Sequence, residues 1–143
     1  YTLLPIVKLM GKEVRDVRFD SIKDENGVDL YTKAAFSFDN GLALSKTGVG
    51  VKTEGQLLIA GTAGYILVKS PWWLKQGFEV RYEDANKKDV YSSRFLGRGL
   101  RYEISDFARA ILGNGNTSYK LTRGESIAIA GLMERFLDMR CNK

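Results

Sequence analysis

The sequence predicts an α+β fold, an open-faced antiparallel sheet of about seven strands with helices on one face. Three observations carry this. Val28, Leu30, Thr32, Ala34, Phe36 and Phe38 alternate with Asp29, Tyr31, Lys33, Ala35 and Ser37, the period-two pattern of a strand with one buried face. Asp39-Asn40-Gly41 follows at once, and Asn and Gly accept the positive φ of a tight turn, so Leu42 to Val51 should return antiparallel. Strand-like segments are grouped together, and the strong helical patterns come mostly after them.

The elements can be justified in order. Leu3 to Met10 is a short apolar helix, with Pro5 in its first turn and Gly11 at its end. Glu13–Ile22 is expected to be the first strand. After the 28–51 hairpin, Gln56–Ala60 pairs with Tyr65–Lys69 across Gly61-Thr62-Ala63-Gly64. Phe78, Val80 and Tyr82 alternate with Glu79, Arg81 and Glu83, and the turn at Asp84–Lys87 leads into a last strand near Asp89–Phe95. Leu100 to Leu112 sets Ile104, Phe107, Ala108 and Ile111 on one helical stripe, ended by Gly113-Asn114-Gly115-Asn116. Thr122-Arg123-Gly124-Glu125 is a capping box. The helix it opens should turn Ile129, Met133, Phe136 and Leu137 inward and run to about Arg140.

Composition sets limits. A chain of 143 residues fits one domain, 1–143, with one core. Apolar residues at 44% and charged residues at 27% argue against wholesale disorder. No apolar run reaches the roughly 18 residues of a membrane span. The chain starts at Tyr1 without a signal sequence, so the expectation is a cytoplasmic protein entered partway through. There is no histidine, which excludes Ser–His and Cys–His nucleophile pairs and His-ligated metal. Cys141 is the single cysteine, so it can form no internal disulfide and makes a poor metal site, consistent with a reducing compartment. Without a signal sequence, Asn116-Thr117-Ser118 is not read as a glycosylation acceptor.

The formal charge is +5, from 22 basic and 17 acidic residues. The excess is dispersed except at Lys87-Lys88 and at Arg94, Arg98 and Arg101, and no RNP-like aromatic motif accompanies it. Nucleic acid and membrane are therefore not expected partners. Gly97-Arg98-Gly99 lacks the third glycine of a dinucleotide fingerprint and follows the sheet instead of a first strand, and no phosphate loop occurs. No cofactor or metal is expected to bind this chain, and it holds no complete catalytic set.

Two places could still carry binding chemistry. In Ser70-Pro71-Trp72-Trp73, adjacent tryptophans on an extended chain face opposite ways. One packs in the core, and the other could stack on a sugar ring at a cleft. Arg101, Tyr102 and Glu103 begin a helix, where backbone amides favour an anion and arginine can grip a carboxylate or phosphate. The plain alternative is that Glu103 offsets the helix dipole while the arginines stay solvated. Lys46 and Thr47, on the returning strand of the first hairpin, are a further place where a substrate could be met.

The run Gln56-Leu57-Leu58-Ile59-Ala60-Gly61-Thr62-Ala63-Gly64-Tyr65-Ile66-Leu67-Val68, followed by Trp72-Trp73, resembles the "I-x-G-T-x-G-x-I-x-V…W" segment of the Gfo/Idh/MocA oxidoreductases. Gly97 to Ile104 with Phe107 and Ile111 resembles that family's "G-x-G…E…F…I" helix start, and Thr122 with Glu125-Ser126 resembles its final helix. The resemblance covers nearly the whole chain. It implies the C-terminal, substrate-side domain of an NAD(P)-dependent enzyme acting on a sugar, polyol or sugar derivative. The Rossmann domain that binds NAD or NADP and supplies a catalytic lysine is absent here. It also implies a homo-oligomer formed through the open sheet face, and sets Tyr1 in the last position of the family's "D-x-G-x-H/Y" motif, as the one catalytic candidate. Trp72, Trp73, Arg101, Tyr102, Glu103 and Lys46 are the substrate-binding candidates. Alternatively, the chain is a non-enzymatic binding or assembly module, within a multidomain chain fused to a nucleotidyltransferase.

Overall fold

The computed structural model describes residues 1–74, 77–93, 96–97, 99–113 and 120–141. They form α1 (Leu3–Met10), β1 (Asp16–Lys23), β2 (Asp29–Phe38), β3 (Gly41–Gly48), β4 (Leu57–Gly61), β5 (Gly64–Val68), β6 (Gly77–Tyr82), β7 (Lys88–Ser92), α2 (Leu100–Ile111) and α3 (Arg123–Cys141). Arg94, Phe95, Arg98, the 114–116 turn and the Asn116-Thr117-Ser118 triplet lie outside the described residues, as does the Cys141 side chain.

The α+β class and the antiparallel pairing follow the sequence pattern. The strands form two meanders, β1-β2-β3 and β4-β5-β6-β7, where the sequence reads as one sheet. The reason is local: tight turns fix pairing between successive strands, whereas joining two meanders needs an edge-to-edge pairing that no turn encodes. The chain accordingly divides into two compact units, Tyr1–Thr53 with Asn116–Lys143, and Glu54–Gly115.

The first unit holds the main core. Phe19, Ala34, Phe36 and Phe38 fill one face of the three-stranded sheet, and Ile6 and Val7 of α1 and Leu132 of α3 pack with them. Phe19 meets Phe36 edge-on at 6.2 Å and Phe136 of α3 at 5.2 Å. α1 stops at Gly11, whose φ of 99° only glycine adopts readily, and the Gly11 N–H donates to Val7 O at 3.1 Å.

In α3 the inward stripe is Ala128, Ile129, Leu132, Phe136 and Met139. Met133 and Leu137, expected inward, are 52% and 53% exposed. The 3.6-residue period passes through Leu132 and Met139 as readily as through Met133 and Leu137, and the packing against Phe19 selects the former. The capping box forms as read, with Thr122 N–H donating to Glu125 Oε2 at 2.7 Å and Glu125 N–H to Thr122 Oγ1 at 3.3 Å.

The second unit is a four-stranded sheet followed by α2. Among the described residues Val68 is its one buried apolar side chain. Ile104, Phe107 and Ile111 of α2, expected on a packed stripe, are exposed. Amphipathic spacing encodes an apolar face but not what covers it.

Candidate functional site

The tryptophan segment follows β5 directly. The Ser70–Pro71 peptide is cis, and the Trp72 N–H donates to Gly55 O at 3.0 Å, tying the segment to the approach of β4. Trp72 is half-buried and Trp73 is 49% exposed, and their rings meet edge-to-face at 6.2 Å. Gly55 has φ 63° and sits beneath them, so a Cβ there would approach Ser70 Oγ to 2.9 Å. The result is an aromatic corner with one open ring.

Arg101, Tyr102 and Glu103 occupy the first turn of α2, after Gly99 at the N-cap with φ 101°. The Tyr102 N–H donates to Gly99 O at 2.9 Å, and the Tyr102 hydroxyl accepts the Leu96 N–H at 3.0 Å. This fixes the phenol across the turn that leads into the helix. Arg101 and Glu103 are exposed. These three residues share the second unit with Trp72 and Trp73, whereas Tyr1 and Lys46 belong to the first. Tyr1 is fully exposed ahead of α1, and Lys46 lies on β3, in register with Lys33 of β2.

Sequence reasoning missed the strongest polar cluster. Glu79 on β6 is only 7% exposed. Its Oε1 is held by Lys69, just past β5, and its Oε2 accepts from Arg81 Nε at 2.9 Å and Nη2 at 2.6 Å. Arg81 Nη1 donates onward to the Tyr65 hydroxyl at 3.2 Å. The two cations, Lys69 first and then Arg81, hold the Glu79 carboxyl at about 2, well below the usual carboxylate range. The signal was present in the alternation. Tyr65 and Arg81 are register partners, as are Leu67 and Glu79, so Tyr65, Leu67, Glu79 and Arg81 share a face.

Across the next hairpin, β6–β7, Tyr82 donates to Asp89 Oδ2 at 2.7 Å, and this bond to a carboxylate raises the phenol's pKa. In the first unit a shallow groove of about 310 Å³ runs between the start of β1 and α3, lined by Arg15, Asp16, Val17, Arg135, Asp138 and Met139. No group of three metal-ligating side chains occurs among the described residues. Nor do those residues fit a dinucleotide. Every paired strand is antiparallel, so no strand–glycine turn–helix unit beside a parallel strand offers a seat for a pyrophosphate. Among the described residues, no helix is long and apolar enough to cross a membrane.

The chain matches no protein-family model and no curated protein. Among solved structures it is similar in fold to UDP-N-acetylglucosamine 3-dehydrogenase GnnA from Acidithiobacillus ferrooxidans, with a TM-score of 0.69 and 18% identity. The likeness covers 92% of this chain and 42% of that one, so this chain spans less than half the length of the dehydrogenase it resembles.

Proposed function

We propose that this chain is the C-terminal, substrate-side and assembly part of an NAD(P)-dependent oxidoreductase acting on a sugar, polyol or sugar derivative. The observation that carries the reading is the fold likeness, which takes in nearly all of this chain and under half of a sugar-nucleotide dehydrogenase. The order of the Gly61-Thr62-Ala63-Gly64, Trp72-Trp73 and Thr122…Glu125 segments, which resembles the Gfo/Idh/MocA pattern, points the same way. In this reading the cofactor domain binds NAD or NADP and supplies the catalytic lysine. Trp72 or Trp73 stacks on the sugar ring, and Arg101 and Tyr102 meet its polar groups. Copies of the chain associate through the open face of the three-stranded sheet. The exposed apolar stripe of α2 is in keeping with a piece that packs on another domain.

Turnover by the natural full-length protein tests the proposal. NAD⁺ and NADP⁺ would be offered with UDP-N-acetylglucosamine, simple sugars and polyols, following reduced nicotinamide by absorbance. Substitution of the pocket tryptophan by Ala should raise KM about tenfold or more. Saturable sugar binding with no turnover on either cofactor would favour the non-enzymatic binding module. The isolated chain should bind neither cofactor more tightly than about 100 μM, roughly 5–6 kcal/mol, by calorimetry. Tighter saturable binding would contradict the division of labour proposed here.

A further inference from the structure

The face of the four-stranded sheet that carries Glu79 holds more positive charge than its own carboxylate balances. Lys69, Arg81 and Lys88 stand against Glu79, with Lys88 the register partner of Arg81 on β7, leaving two positive charges. Glu83, the next acid along, lies past the end of β6 in the turn. Both oxygens of Glu79 are already used, and the acid thereby fixes the two cations that flank it.

Two donors remain available there. Arginine has no acceptor, so in the Arg81–Tyr65 bond the phenol oxygen accepts and the Tyr65 proton is left to give to something else. Lys69 has two further ammonium hydrogens, and its side chain is 61% exposed. Beside them Leu67 continues the row of Glu79, with Leu58 and Val90 exposed at its two ends. A charge surplus of two suits a dianion better than a monoanion, and the apolar row suits a ligand with a ring or hydrocarbon part.

We propose that this face binds a phosphorylated small molecule, its phosphate monoester dianion held by Lys69, Arg81 and the Tyr65 hydroxyl. Lys88 adds charge, and the apolar part of the ligand rests along Leu67. The site is independent of the dehydrogenase reading.

Phenyl phosphate is a suitable probe, followed by amide shifts of the isotopically labelled chain at constant ionic strength and about pH 7.5. Saturable shifts on β5 and β6 in the low-millimolar range are expected. Phenyl sulfate, a monoanion carrying the same ring, should bind about tenfold or more weakly. Lowering the pH to about 5.5 protonates a phosphate ester, whose second pKa is near 6, and should weaken binding several-fold. Lys69→Gln and Tyr65→Phe, at a mostly exposed and a half-buried side chain, should each weaken it about tenfold, measured at a temperature where the amide spectrum of each variant shows the fold intact. Shifts that never saturate, or that scatter over lysines elsewhere on the surface, would overturn the proposal. So would equal affinity for the sulfate, or wild-type affinity in folded Lys69→Gln.

Discussion

Glu125 joins two jobs in one carboxylate. Its Oε2 accepts from Lys8 Nζ of α1 at 2.8 Å and from the Thr122 N–H at 2.7 Å, so it caps α3 and ties α1 to it. Lys8 first, then the Thr122 amide, bring its pKa from 4.5 down to about 2. A carboxylate with a depressed folded pKa adds stability that is present above its ordinary pKa and lost as pH falls through the folded one. The melting temperature of the wild-type chain should therefore exceed that of Glu125→Gln at pH 6, with the gap closing between about pH 4.5 and pH 2. A gap that stays constant over that window would show that the carboxylate charge is not what matters. Thr122→Ala, which removes the cap oxygen, should cost about 1 kcal/mol in denaturant unfolding.

At the level of elements, patterns closed by local chemistry were legible and those closed by distant packing were not. β2, its turn into β3 and the α3 cap follow from Phe36 and Phe38, Asp39-Asn40-Gly41, and Thr122 with Glu125, each contained within a few residues. The inward face of α3 was read one stripe away, because its apolar residues run most of the way round the helix and only contact with Phe19 decides among them. Single substitutions separate the two faces. Leu132→Ala should cost about 2–5 kcal/mol by opening a cavity. Met133→Ala and Leu137→Ala, at exposed positions, should stay within about 0.5 kcal/mol. A large loss at Met133 with none at Leu132 would reverse the assignment. Of the candidate site, the adjacency of Trp72 and Trp73 was legible in the sequence, whereas the corner they form was not, because it rests on the turn after β5 and on the bond from the Trp72 N–H to Gly55 O. For the Glu79 cluster the sequence carries only the alternation that puts Glu79 and Arg81 on one face; that Tyr65, and Lys69 just past β5, join them is visible only once the β5–β6 register is known.

At the scale of the whole molecule, the open face of the three-stranded sheet decides whether two copies meet there. Reading β2 alone suggests a lightly charged face of Tyr31, Ala35 and Ser37. Its neighbours change that, since β1 adds Arg18 and Asp20, and β3 adds Lys46. Asp20 pairs with Arg18 at 3.0 Å and with Lys33 at 3.3 Å, and these cations, Arg18 first, lower its pKa. Such exposed pairs contribute about 0–1 kcal/mol and do not themselves drive association. The exposed apolar side chains of this face are Leu42 and Leu44 on β3, 81% and 60% exposed with Leu44 in register with Ala35, and Ile22 on β1, 62% exposed and in register with Tyr31. If the proposed two-fold stacking of sheets forms, those leucines are its centre and the Arg18–Asp20–Lys33 network its rim. Light scattering at tens of micromolar should then report a dimer, and Leu44→Glu should return it to monomer with an unchanged melt under dilute conditions. Raising salt should leave the dimer largely intact, because the leucines carry it and the screened pairs do not. A wild-type chain that stays monomeric, or a dimer indifferent to Leu44→Glu, would place the assembly surface away from this sheet.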